Sequence, residues 1–236
     1  MTTTVTPAAS PPEPPEAAHA RAVACPVEQL DFCVVDLETT GGSPGASRIT
    51  EIGAVRVQGL RPTARFSTLV DPGCPIPAVV TEITGIDDAL VEGQPSIEAA
   101  LERFTAFAGR DVIVAHNAPF DLRFLNYERR RMSGGYFTQP WLDTLTLARR
   151  LLEGRVERHD LGTLAVWAGT RVRPNHRALP DAEATADLLI RLLTVARTRG
   201  LGTLAQLRDY VGDAATPYSH KTALAEDLPA APGVFV

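Results

Sequence analysis

"DFCVVDLETTGGSPGASRITEIGAVRV" spans residues 31–57, and its punctuation decides the fold. Two apolar runs, "DFCVVDL" and "ITEIGAVRV", flank a connection rich in Gly and Ser, "GGSPGAS". Short β-branched runs bounded by turn residues read as strands. The second run alternates only imperfectly, through Ile52, Ala54, Val55 and Val57. A third strand is expected at 64–70, "ARFSTLV", before the proline-broken "DPGCPIP". Three consecutive strands form, most simply, an antiparallel meander.

Downstream the periodicity changes. In "SIEAALERFTAFAG", Ile97, Leu101, Phe104 and Phe107 recur at helical intervals behind Ser96, a helix-capping residue. "DVIVAHN" reads as a short buried strand and "FDLRFLNYERRRM" as the helix after it. Further helices are expected near 143–152, 161–168 and 180–199, with one more short helix in "LGTLAQLRDYVG". Strands followed by β-α units imply an α/β fold, a mixed sheet with helices on its faces.

Composition narrows the function classes. An apolar content of 44% and the absence of any run near the roughly 18 apolar residues of a membrane span predict a soluble, cytoplasmic chain. A net charge of −5 argues against coating nucleic acid through bulk charge. Residues 110–199 nevertheless carry 15 arginines against 10 acids, five of them in the runs 129–131 and 149–150. Solvated helix faces account for such runs, which permit a phosphate-binding surface without requiring one. Cys25, Cys33 and Cys74 show no C-x-x-C spacing and fit a reducing compartment. Residues 1–28, rich in Pro and Ala, read as a disordered arm; 29–199 read as the folded domain, and 200–236 as a short helix and tail.

Four acids stand where strand ends and helix starts can bring them together. Asp36 and Glu38 are two apart and leave the same face of the first strand. Asp121 follows a strand and a turn, and Asp181 opens the last long helix behind Pro180. His176 precedes Asp181 by five residues, a spacing that on a helix would turn the two apart by roughly 500°. His176 is therefore expected on the loop ahead of the helix. Carboxylates alone suit Mg²⁺ or Mn²⁺, and two such ions stabilise both the attacking and the leaving oxygen of a phosphodiester displacement. A loop histidine beside them supplies the base that the attacking water needs.

"VVDLETTG" with "ITEIGAV", then "HNAPFDLRFL", then "HRALPDA", in that order, resemble the three motifs of the DEDDh family, the DnaQ-like 3′→5′ exonucleases on a ribonuclease H-like fold. The likeness runs from about residue 31 to 195 and takes in "ITGIDD" and "WLDTLTLARRL". It implies that Asp36, Glu38, Asp121 and Asp181 hold two Mg²⁺ or Mn²⁺ ions and that His176 is the general base. It also implies that Thr39, Ile83, Thr84 and Phe120 meet the terminal nucleotide. The implied partner is nucleic acid with a free 3′ end, single-stranded DNA before RNA, together with polymerase or DNA-repair proteins. Asp143 is expected to cap a helix rather than serve as a fifth ligand. The terminal "LPAAPGVFV" resembles the start of a GIY-YIG nuclease domain, which implies the exonuclease half of a two-nuclease repair protein. A non-catalytic subunit that tethers a polymerase or repair complex is the alternative of another class.

Overall fold

A computed structural model describes residues 24–212. A five-stranded sheet has the order β3-β2-β1-β4-β5. It is built from β1 (Phe32–Thr39), β2 (Ile49–Gln58), β3 (Arg61–Leu69), β4 (Val112–Ala115) and β5 (Trp141–Asp143). The first three strands form the expected antiparallel meander, and β4 and β5 run parallel to β1. The sheet is mixed, as in ribonuclease H-like folds.

Helices cover both faces. Short α1 (Ala78–Thr84) and α2 (Asp88–Val91) precede α3 (Ile97–Ala108) and α4 (Ala118–Ser133). After β5 come α5 (Thr144–Leu151), α6 (Leu161–Ala168), α7 (Ala178–Thr198) and α8 (Leu204–Val211). Cys33 and Val35 of β1 and Ile52 and Ala54 of β2 pack with α3 and α4. Phe32, Val34, Val55 and Val57 pack with α5, α6, α7 and α8 on the other face. Burial on both faces is why β2 alternates so poorly in sequence. By the same period of two, Asp36 and Glu38 continue the Phe32–Val34 row onto the α7 face.

Several boundaries differ from the expectation. The third strand begins at Arg61 rather than 64, because Gly59 and Leu60, at φ 54° and 58°, join it to β2 in the left-handed geometry that two-residue hairpins need. Leu60 lacks a turn residue's signature and tolerates the conformation while packed against the core. The last long helix starts at Ala178, two residues early. Helices α1 and α2 and strand β5 were not anticipated; Trp141–Asp143 forms three ladder pairs with β4 where a helix start was expected at 143.

The domain limits at 28/29 and 199/200 cut through packed structure. Val27 is fully buried and donates its N–H to the Gly202 carbonyl at 2.9 Å, while Leu204 and Leu207 are core residues. Most of the proposed arm and the "LPAAPGVFV" stretch lie outside the described residues. The first arginine run is engaged within the protein, with Arg129 over Phe137, Arg130 over Tyr136 and Arg131 paired to Glu128. Among the described residues no helix is long and apolar enough to cross a membrane.

Candidate active site

The end of β1 carries Asp36 and Glu38 toward α7, where Asp181 waits in the first helical turn. One carboxylate oxygen from each of the three lies within 4.8 Å of the others. Asp121, buried in the first turn of α4, accepts a hydrogen bond from the Leu37 N–H, between the two β1 acids. Four acids from three elements thus meet at the C-terminal end of β1, the central strand, and His176 lies on the exposed loop before α7.

Electrostatics follow from burial and like charge. Burial, then Asp121, Asp181, Glu38 and Glu51, push the Asp36 carboxyl well above the usual carboxylate range. Glu38 is pushed up to about 8 by burial and by Asp181, Glu51 and Asp121, with Arg177 opposing. Asp121 is likewise pushed up to about 8, mainly by burial and against hydrogen bonds from its own backbone and from Leu37. Asp181 rises by burial, opposed by backbone hydrogen bonds from Asn175, His176 and Arg177. Clustered carboxylates with so high a proton affinity lack the positive charge that would let all of them ionise. Their oxygen-only donor set fits hard divalent cations, and Asp36, Glu38 and Asp181 would hold one, with Asp121 beside them.

The helix start is placed by β2. Asp36 pairs with Gly53 and Glu38 with Glu51 across the antiparallel ladder. A Cβ on Gly53 would lie 2.2 Å from the Ala178 carbonyl carbon, so only glycine lets α7 dock this closely. Arg177, the residue at the N-cap, makes no side-chain cap of its own, and Glu51 accepts the Ala178 N–H instead at 3.0 Å. Pro180, inside the first turn, has no N–H to lose there.

Asp143 organises the opposite side. Its Oδ1 accepts from the Asn117 N–H at 2.8 Å, Ala118 N–H at 3.2 Å and Leu145 N–H at 3.1 Å, and its Oδ2 from the Thr146 N–H at 3.2 Å. One carboxylate therefore caps both α5 and α4, the helix that carries Asp121, while Asn117 takes φ 72°. The His116 Nε2 donates to the His159 carbonyl at 3.0 Å, tying the 152–160 loop to the end of β4.

The four residues expected at the terminal nucleotide have different settings. Thr39 is buried and donates to the Gly41 carbonyl at 2.7 Å. Ile83 is 53% exposed on α1. Thr84 is turned inward, its hydroxyl donating to the Val80 carbonyl and accepting from the Ile86 N–H, so it offers no free surface. Phe120 is half-buried, 5.1 Å from Phe124 between ring centroids, with packing as its observed role. Glu51 and Gly53 escaped notice as site residues, although an acid inside an apolar strand is itself a signal of a buried partner.

Comparison with known proteins identifies the family. The exonuclease family model matches residues 33–189. A Mycobacterium tuberculosis (strain CDC 1551 / Oshkosh) protein described as a bifunctional exonuclease/endonuclease is 40% identical over 232 residues, 93% of this chain and 36% of that one. The chain therefore spans about a third of that relative's length. The DNA polymerase III subunit epsilon of Aquifex aeolicus (strain VF5) is 40% identical over 162 residues, 69% of this chain and 80% of that protein. The structure of Exonuclease X in complex with 5′ overhanging duplex DNA superposes with a TM-score of 0.62 at 31% identity, over 77% of this chain and 99% of that one. Motifs, sheet order and relatives agree, and the chain belongs to the exonuclease family, in its DEDD-type 3′→5′ branch.

Proposed function

We propose that this chain removes nucleoside 5′-monophosphates from the 3′ ends of DNA by divalent-metal-dependent hydrolysis, in repair or proofreading in the cytoplasm. The observation that carries the reading is the meeting of Asp36, Glu38 and Asp181 within 4.8 Å, with Asp121 bonded to the backbone between the first two. When bound, two Mg²⁺ or Mn²⁺ ions supply charge stabilisation to the attacking and leaving oxygens. Asp36, Glu38, Asp121 and Asp181 bind them. His176, beside Asp181, takes the proton from the attacking water, and Ile83 presents an exposed apolar surface to the terminal base. DNA is favoured over RNA by two of the similar proteins, a DNA polymerase III subunit at 40% identity and Exonuclease X bound to duplex DNA at 31%. The Mycobacterium relative described as an exonuclease/endonuclease, with the GIY-YIG-like "LPAAPGVFV", supports the placement of this chain beside an endonuclease.

Digestion of 3′-labelled single-stranded DNA and RNA with Mg²⁺ or Mn²⁺ tests the proposal, with Asp36→Ala as the inactive control. Mononucleotides released from DNA are the expected product. No release by the wild type would leave the tethering subunit as the better reading, and preference for short RNA would overturn the DNA assignment.

A further inference from the structure

We propose that Glu51 and Arg177 form a latch that positions the His176 imidazole for turnover. The inference rests on the reading of His176 as the proton-accepting base. Glu51 lies in β2, 3% exposed, directly across the ladder from Glu38. A buried carboxylate needs hydrogen-bond partners, and this one has three. Arg177 Nη2 donates to its Oε1 at 2.8 Å and Arg177 Nε to its Oε2 at 2.9 Å, while the Ala178 N–H reaches Oε2 at 3.0 Å. A two-pronged guanidinium–carboxylate pair fixes orientation as well as distance. The two residues after His176 are therefore tied to β2.

The residue before His176 is tied as well, since the Asn175 N–H donates to Asp181 Oδ1 at 2.8 Å. Between these two clamps His176 holds φ 59°. That left-handed conformation is disfavoured for a residue with a Cβ and persists only where its surroundings over-determine it. Arg177, at the N-cap, caps nothing itself, and Glu51 takes the Ala178 N–H in its place. Both Glu51 oxygens are taken by Arg177 and Ala178, so the side chain acts on the loop rather than as another member of the acid cluster. Glu51 and Arg177 are thus positioning residues, acting through His176.

Two substitutions probe the latch. Glu51→Gln keeps the volume and an acceptor for Ala178 but breaks the fork, and Arg177→Lys keeps the charge without the fork. Each is expected to lower kcat on a 3′-labelled single-stranded oligonucleotide roughly 10- to 100-fold. KM stays unchanged in both, and Mn²⁺ affinity by titration calorimetry stays unchanged in Arg177→Lys, which keeps every charge in place. In a His176→Ala background the same substitutions are expected to lower kcat no further, because the latch acts only through the imidazole. A second fall of equal size in that background overturns the latch, as does Mn²⁺ affinity lost in Arg177→Lys or wild-type turnover by both variants. Full turnover by His176→Ala alone overturns the base assignment itself, so the two failures are distinguishable. If Glu51→Gln does not fold, Arg177→Lys carries the same comparison.

Discussion

His176 combines an exposed imidazole with a left-handed backbone one step from a helix, a setting that suits a reacting group better than a packed one. Asp181 accepts backbone N–H bonds from the same loop, so its carboxylate and the histidine move as one unit. Under the proposed chemistry, His176→Ala should slow mononucleotide release roughly 10²- to 10⁴-fold, the usual worth of a general base. Calorimetric Mn²⁺ affinity should change little, and a parallel loss would make His176 a ligand instead. Residue type and spacing marked Asp36, Glu38, Asp181 and His176 as candidates, because an acid two positions from another, or five from a histidine, constrains geometry locally; Asp121 and the role of each residue came from the order of the motifs and the resemblance they carry. The strain at His176 was not readable. Glu51, 125 residues away in the chain, and Asp181 impose it.

The same separation governs the elements. Helix α7 was expected to begin at Pro180, where local signals place it, yet it begins at Ala178 because Glu51 supplies the cap from another strand. Asp143 deceives in the opposite direction: a helix-capping acid was correctly anticipated, but the ladder to β4 makes Trp141–Asp143 a strand first. Long apolar segments, β1, β2, α3 and α4, were legible because burial writes its period into the sequence. Gly53 belongs to neither category, since the need for it appears only once α7 is laid across β2. Gly53→Ala would force its Cβ to within 2.2 Å of the Ala178 carbonyl carbon, and backbone cannot yield as a flexible side chain does. Overpacking of this kind costs about 1–3 kcal/mol, read as a lowered urea midpoint. Turnover should fall with it, because α7 carries Asp181; an unchanged midpoint and rate would mean that the helix start has room to move.

Across the whole molecule, Asp36, Glu38, Asp121 and Asp181 converge from one strand and two helices, and Arg177, already forked to Glu51, offsets their mutual repulsion only in part, at Glu38. Such crowding opposes folding whenever the acids ionise. Glu38 and Asp121 titrate near 8 in the folded protein, against 4.5 and 3.8 for the same groups unperturbed. Between those limits the folded chain holds protons that the unfolded chain has released, so the stability of the metal-free protein must fall as pH rises through that window. A divalent cation bound only by the folded state reverses the loss by mass action, and it competes best where the protons are weakest. In EDTA the melting temperature should therefore drop between pH 5 and pH 8. Excess Mg²⁺ or Mn²⁺ should restore it at pH 8 and do little at pH 5. Neutralising two of the acids, in Glu38→Gln with Asp121→Asn, should flatten the pH slope and abolish the metal's stabilising effect together. A metal-free melting temperature that stays level or climbs over this range would show that the cluster is already neutralised from within.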